Sequence, residues 1–135
     1  MTEKTDKQLT KYFKTSELLP KGYIDTTVLD PKLLKLIDEV RELLGVPCTV
    51  NSDGRQYCGY RPKDCTIGAP NSYHKKGKAA DLHPVGMSAE DARTLIRKAV
   101  GQGLLKDLGG VELDVSWLHI DTRPRIDNKV LWFKG

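Results

Sequence analysis

The chain has 135 residues, of which 39% are hydrophobic and 30% are charged. A chain of this size supports one hydrophobic core, and it contains no apolar run long enough to span a bilayer. Its formal net charge of +4 comes from lysines spread along the sequence. This charge suits either a solvated surface or attraction to a polyanion such as nucleic acid or an anionic cell wall, and no aromatic-basic stacking pattern favours nucleic acid. Residues 1–15 are polar and lysine-rich, and no secretory signal is readable in them.

Residues 1–14 are expected to form a flexible lead-in to a single domain over residues 15–135. The first clear element is a helix over residues 31–44. Asp30 can cap it, and Gly45 is suited to end it. Its apolar residues recur at helical spacing and predict a face in the core: Leu33, Leu34, Ile37, Val40, Leu43 and Leu44.

A short strand is predicted over residues 46–51, and a loop rich in glycine, proline, aspartate and arginine follows over residues 52–72. Long loops in small domains often carry functional residues. A second strand is predicted over residues 79–82. Alternation along this strand places Asp81 and His83 on the same face.

Ser88 and Asp91 have the spacing of a helix cap, and apolar residues continue at helical spacing toward Gly101 and Gly103. Three strands arranged as a C-terminal meander are then predicted over residues 109–113, 117–121 and 130–133. Together these elements indicate an α+β fold, in which two main helices pack on a small antiparallel sheet.

The chain has three cysteines, an odd number that favours reduced thiols over a disulfide framework when no export signal is readable. Cys58 and Cys65 could instead form one disulfide in an oxidising compartment. They could also join His74 in a structural zinc site, although no closely spaced cysteine pair supports that arrangement.

Two of the three histidines lie in compact polar segments, at residues 72–81 and 117–121. Two imidazoles and one carboxylate, from His74, Asp81 and His119, form a ligand set typical of catalytic zinc, which keeps one position open for water. The sequence therefore predicts a metal site. For His119 taken alone, a buried histidine with a satisfied hydrogen bond is the competing interpretation.

These residues belong to two spaced motifs, Ser72-x-His74-x-x-Gly77-x-Ala79-x-Asp81 and Trp117-x-His119. Both motifs resemble the zinc D-Ala-D-Ala carboxypeptidase family, which includes phage peptidoglycan endopeptidases. The resemblance extends to residues 58–62 and 119–123 and covers most of the chain after about residue 12. It implies a hedgehog-like zinc peptidase fold, with the zinc site in a cleft on the sheet.

The resemblance implies that His74, Asp81 and His119 bind one Zn²⁺ ion. It also implies that Arg61 binds the carboxylate or carbonyl of the substrate, which suits the planar donor pair of a guanidinium group. Arg55 is a competing candidate because the loop can be aligned either way.

Ser72 and Trp117 are expected to lie beside the substrate. The hydroxyl of Ser72 is expected to form hydrogen bonds in the site, and Trp117 to wall the cleft. His83 shares a strand face with Asp81, but the family motif assigns no ligand there. We therefore interpret His83 as a residue at the rim.

The chain departs from the family at the general base. Compared catalytic members carry a glutamate or aspartate three residues before the second histidine, where this chain has Ser116. A serine cannot accept a proton at neutral pH as a carboxylate can. We expect Asp114 to supply the base, with Glu112 as the next candidate. Asp121 is a third, although its position also suits a partner that orients a metal ligand.

The predicted function is a zinc metallopeptidase that hydrolyses peptidoglycan stem peptides, either as a carboxypeptidase or as an endolysin. It is expected to be made in the cytoplasm, to be a monomer and to act at the bacterial cell wall, with a phage or prophage origin. Neither nucleic acid nor membrane insertion is expected. Ser116 supports an alternative, a non-catalytic zinc-containing module that binds the cell wall or belongs to a phage virion.

Overall fold

The computed structural model describes residues 7–23, 25–52, 55–67 and 72–134. Over these residues the chain forms a five-stranded sheet with helices, which confirms the predicted α+β class. The α-helices are α1 (Thr15–Leu18), α2 (Pro31–Leu44) and α3 (Ala89–Gly101), and 3-10 helices span Thr26–Val28 and Tyr73–Lys76. The strands are β1 (Cys48–Thr49), β2 (Ala79–Pro84), β3 (Gly110–Leu113), β4 (Leu118–Asp121) and β5 (Leu131–Lys134).

Helix α2 has the bounds predicted from its caps. The Asp30 carboxylate accepts a hydrogen bond from the backbone N–H of Lys32, and Gly45 ends the helix with a left-handed φ of 70°. Leu34 and Leu43 of the predicted core stripe are only partly buried, because the buried face is centred one position away. The buried residues of α2 are Leu33, Leu36, Ile37, Val40 and Leu44.

The strand order is β1-β2-β4-β3-β5. Neighbouring strands are antiparallel except β3 and β5, which are parallel. The predicted C-terminal meander is therefore wrong. Strand β2 occupies the second edge of β4 through four consecutive residue pairs, so β5 cannot join there. The chain crosses back over residues 122–130 and adds β5 to the open edge of β3.

The two faces of the sheet have different roles. Helices α2 and α3 pack against one face, where alternate residues of the central strands are fully buried. These residues are Ala80, Leu82, Val111, Leu118 and Ile120. The opposite face carries the polar residues between them, so the core and the candidate site lie on opposite sides of one sheet.

The hydrophobic core extends into the segment predicted as a lead-in. Phe13 is fully buried, and Leu9 and Tyr12 pack against the core. Residues 1–6 of that segment lie outside the described residues, and the domain boundary at residue 15 stays a prediction. Among the helices that the structure describes, none has the length and apolar character needed to cross a bilayer.

Gly77 fills a position that other residues cannot occupy. Its φ is +69°, and a Cβ atom there would overlap the carbonyl oxygen of Val28. Its own carbonyl accepts a hydrogen bond from the backbone N–H of Asp30 at 2.9 Å. A side chain at residue 77 would therefore separate two backbone segments that are in direct contact.

We expect Gly77→Ala to destabilise the protein far more than Gly45→Ala, the matched control. Gly45 has a similar φ of +70° but no atom within 4 Å of the added Cβ, so its substitution costs only the left-handed conformation, about 1–2 kcal/mol. Gly77→Ala adds a backbone clash to that cost. Urea unfolding of both variants measures the difference, and equal losses of unfolding free energy would contradict this packing argument.

Candidate metal centre

Three elements bring His74, Asp81 and His119 together. His74 lies in the second 3-10 helix, Asp81 in β2 and His119 in β4. All three residues are buried, and each offers a ligand atom within 4.8 Å of the other two. Asp81 and His119 are direct partners in the β2–β4 register, so the sheet itself places two of the three side chains next to each other.

The motif around His74 builds a short helical turn that presents its imidazole. The Ser72 hydroxyl caps the turn by accepting a hydrogen bond from the backbone N–H of His74 at 3.2 Å. Gly77 ends it in the left-handed conformation. The His74 carbonyl then accepts a hydrogen bond from the backbone N–H of Arg61 at 3.0 Å. The serine and glycine of the motif thus set the position of the histidine backbone.

Each imidazole is held at one nitrogen and faces Asp81 with the other. His74 Nδ1 lies 2.8 Å from the carbonyl oxygen of Gly59, to which it must donate, and its Nε2 lies 3.2 Å from Asp81 Oδ1. His119 Nε2 lies 2.9 Å from Asp121 Oδ2, and its Nδ1 lies 2.9 Å from Asp81 Oδ1. Such outer acceptors fix the ring orientation of metal-binding histidines. The donor set suits Zn²⁺, which binds imidazole nitrogen and carboxylate oxygen.

The electrostatics of the cluster favour a cation at this place. Burial opposes the charged form of His119, but hydrogen bonds to Asp121 and Asp81 outweigh burial and raise the pKa of His119 to about 9. Burial also disfavours the Asp81 carboxylate, yet hydrogen bonds from His119 and His74 hold the pKa of Asp81 well below its usual range. The cluster therefore favours a positively charged group between Asp81 and Asp121.

A family model described as Peptidase M15 matches residues 11–121. The chain belongs to this family. Comparisons with curated proteins and with solved structures give no match. Membership confirms the resemblance seen in the spaced motifs. It makes the chain a peptidase and, in general terms, a metallopeptidase of the peptidoglycan-directed type.

In this M15 peptidase, Asp121 is held on two sides. It is fully buried, and its two oxygens accept hydrogen bonds from Arg123 Nε at 2.8 Å and Nη2 at 2.6 Å. The Arg123 guanidinium lies 4.5 Å from the ring centroids of both Tyr73 and Phe133. Asp121 also contacts His119, so its geometry fits a residue that orients the His119 imidazole. This is the second of the two roles that the sequence analysis gave to Asp121, the first being a general base.

The two other candidate bases lie in different surroundings. Asp114 follows β3 with a φ of +61°, its side chain is 69% exposed, and its carboxylate contacts Lys134 at 3.3 Å. Glu112 lies within β3 and pairs with Phe133 of β5, whose ring lies 5.7 Å from that of His119. Strand alternation places Glu112 on the His119 face of the sheet. Glu112 therefore lies on the same sheet face as the candidate metal site, whereas the Asp114 side chain is mostly exposed.

Arg61 contacts Asp81, one of the three candidate ligands. Its Nη2 lies 3.5 Å from Asp81 Oδ2, and its Nε donates a hydrogen bond to the carbonyl of Tyr57 at 2.8 Å. The competing residue, Arg55, is exposed. Geometry thus favours Arg61 of the two arginines. The substrate-binding roles of Arg61, Ser72 and Trp117 stay predictions.

The cysteines of this M15 peptidase are all free thiols. Cys58 Sγ lies 3.6 Å from His83 Nε2, and the Cys58 carbonyl accepts a hydrogen bond from the Asp81 backbone at 2.7 Å. Neither Cys58 nor Cys65 belongs to the metal-binding cluster found among the described residues. His83 is not one of the residues of that cluster, and its interpretation as a rim residue stays a prediction.

Sequence reasoning missed several residues of the site. Gly59 supplies the backbone carbonyl that accepts a hydrogen bond from His74. Because it lacks a Cβ atom, the backbone of Leu18 can lie against it. The sequence signal for Gly59 was its position in the segment 58–62 that resembles the family. Phe133 contacts His119 from the outer strand β5, a placement that depends on the sheet order. Arg93 was readable as the charged residue on the buried face of α3.

We expect Asp121→Asn to weaken zinc binding roughly 10- to 100-fold, the usual effect of removing an outer partner of a metal-binding histidine. The amide keeps the shape but lacks the charge that holds both His119 and Arg123. A competition titration of metal-stripped protein with a chromophoric chelator measures the affinity. Asp107→Asn, which removes a surface ion pair with Lys35, is the control; equal zinc affinities in the two variants would refute the orienting role.

Proposed function

We propose that this chain is a zinc-dependent peptidase that hydrolyses stem peptides of bacterial peptidoglycan, with His74, Asp81 and His119 as the zinc ligands. The observation that supports this most is that three buried ligand groups converge within 4.8 Å in a chain of the Peptidase M15 family. Three protein ligands leave a fourth position for water or substrate, as in catalytic zinc sites.

The chemistry follows from this arrangement. Bound zinc supplies a Lewis acid for the scissile carbonyl and lowers the pKa of water to ~7. The chain keeps both histidines ready as ligands, because Gly59 and Asp121 accept hydrogen bonds from their outer nitrogens. Burial of the ligands shields the site from bulk water, which strengthens electrostatic interactions there.

We propose Glu112 as the general base in place of Asp114. A carboxylate on the His119 face can accept a proton from water and pass it to the leaving amine. Glu112 is on that face by its register with Phe133. Asp114 is 69% exposed and paired with Lys134, and a carboxylate held there is poorly placed to reach the metal ligands.

Arg61 is the proposed substrate-binding arginine. A guanidinium has five N–H donors, and Arg61 uses Nε on the carbonyl of Tyr57 and contacts Asp81 through Nη2. Its remaining donors suit a carboxylate or carbonyl of the substrate. Ser72 and Trp117 are proposed to border the same substrate. We also propose that the protein is a monomer of phage or prophage origin that acts at the cell wall. Its cleavage is either carboxypeptidase-like or endolysin-like.

We expect the purified protein to bind one zinc ion and to release peptides from isolated peptidoglycan. Chelation should abolish release, and added zinc should restore it, because the carbonyl is polarised only when the metal is bound. Elemental analysis and chromatography of the products measure both effects. Free D-Ala would identify a carboxypeptidase, and cleaved stem peptides an endopeptidase.

Asp81→Ala serves as the control for this experiment and is expected to lose the metal. Absence of zinc from the wild-type protein would contradict the ligand assignment. Zinc binding without any cleavage would favour the alternative that Ser116 supports, a non-catalytic module that binds the cell wall or belongs to a virion.

We expect Glu112→Gln to lower kcat about 10²- to 10⁴-fold, the usual contribution of a general base, while zinc stoichiometry stays at the wild-type value. Asp114→Asn is the comparison, since it removes the other candidate carboxylate, which contacts Lys134. Steady-state kinetics on a stem-peptide substrate distinguish the two residues. If Asp114→Asn loses turnover and Glu112→Gln keeps it, the base is Asp114.

A further inference from the structure

Arg93 is a buried arginine of α3 that binds the backbone of the loop between β3 and β4. It is 5% exposed. Its Nη1 donates to the carbonyls of Trp117 at 3.2 Å and Glu112 at 3.4 Å, and its Nη2 donates to the carbonyl of Val115 at 3.1 Å. Its Nε contacts the Glu90 carboxylate at 3.0 Å. One guanidinium thus engages three carbonyls of a single connection.

These contacts replace a missing part of the sheet. Strands β3 and β4 pair only at Gly110–Asp121 and Val111–Ile120. Residues 114–117, which connect the two strands, make no backbone–backbone hydrogen bond with other described residues. Carbonyl groups shielded from water need donors, and hydrogen bonds from charged donors are the stronger class. Arg93 therefore holds the backbone of the connection in place where no β3–β4 residue pairs do so.

The loop held by Arg93 forms one wall of a cavity of about 320 Å³. The opposite wall comes from the end of β2 and the start of α3, including His83 and Ser88, and Ser116 lines the loop side. The cavity does not include His74, Asp81 or His119, but its lining residue His83 follows Asp81 by two residues on the same strand face. Its position suits a part of the substrate next to the scissile bond.

The metal ligands are held by a different set of contacts. Four consecutive pairs join β2 to β4, from Ala79–Asp121 to Leu82–Leu118, and they include Asp81–His119. None of these pairs involves Arg93. Loss of the Arg93 contacts should therefore loosen residues 112–117 and leave the metal-binding part of β4 in place.

We propose that Arg93 is a positioning residue for the peptidase: it holds residues 112–117 as the wall of a substrate-binding groove beside the metal centre. This inference rests on the proposed function. The same loop follows Glu112, so its order also fixes the approach of that carboxylate. Substrate binding and turnover then depend on Arg93, and zinc binding does not.

The test compares Arg93→Met and Arg93→Lys with the wild-type zinc-loaded protein. Misplacement by about 1 Å can cost about 10²-fold in rate, so Arg93→Met is expected to lower kcat/KM roughly 10- to 100-fold, with a rise in KM, and to keep one zinc ion. Arg93→Lys should recover part of the loss because it restores a donor. Arg97→Met is the matched control: Arg97 is an exposed arginine of the same helix that stacks 3.9 Å above Trp132, and kcat/KM should stay within about twofold of the wild-type value.

NMR relaxation separates this inference from the proposed function. Backbone order parameters of residues 113–117 are expected to fall in Arg93→Met, while those of 118–121 keep their wild-type values. That result supports the positioning role of Arg93 in the loop even if the wild-type protein shows no cleavage, in which case only the peptidase assignment fails. Unchanged order parameters with unchanged kcat/KM would overturn the proposal. Loss of zinc together with activity would overturn it as well, because it would show a general structural role.

Discussion

The pairing of β2 with β4 is the constraint on which the rest of the structure depends. Each strand carries apolar residues on one face and metal-ligand candidates on the other, and the two strands meet so that Asp81 lies opposite His119. A slip of one residue would turn these side chains toward the core. Because Leu82 and Leu118 are fully buried on the other face, the free energy of burying the core fixes the register. The same register assembles the metal site.

The buried charges of the site are tolerated because each one is paired. Asp121 is fully buried, and Arg123 neutralises it from one side while His119 contacts it from the other. Asp81 lies between two imidazoles and Arg61. Removing one member of such a network leaves an uncompensated charge, which is costly. A metal ion bound here would compete with protons for the imidazole nitrogens, which would link metal binding to pH and to folding.

Local signals made part of this structure predictable. The caps at Asp30 and Gly45 gave the bounds of α2, and strand alternation gave the shared face of Asp81 and His83. The position of β5 was not predictable in this way, because it depends on which strand edges remain open after β2 pairs with β4. The contact of Phe133 with His119 was not predicted either, because Phe133 lies on β5. Arg93 binds backbone carbonyls 19 to 24 residues away, a contact that no local pattern reveals.

The departure at Ser116 has a physical explanation in this geometry. Residue 116 lies in a loop where the ladder is open and Arg93 holds the backbone, so strand alternation does not set the direction of its side chain. Glu112 lies on β3, where strand alternation does set the direction of the side chain. Glu112 pairs with Phe133 of β5, whose ring lies 5.7 Å from that of His119, so strand alternation places residue 112 on the same sheet face as the candidate metal site. This placement supports the proposal that Glu112 takes the role that the family pattern gives to residue 116.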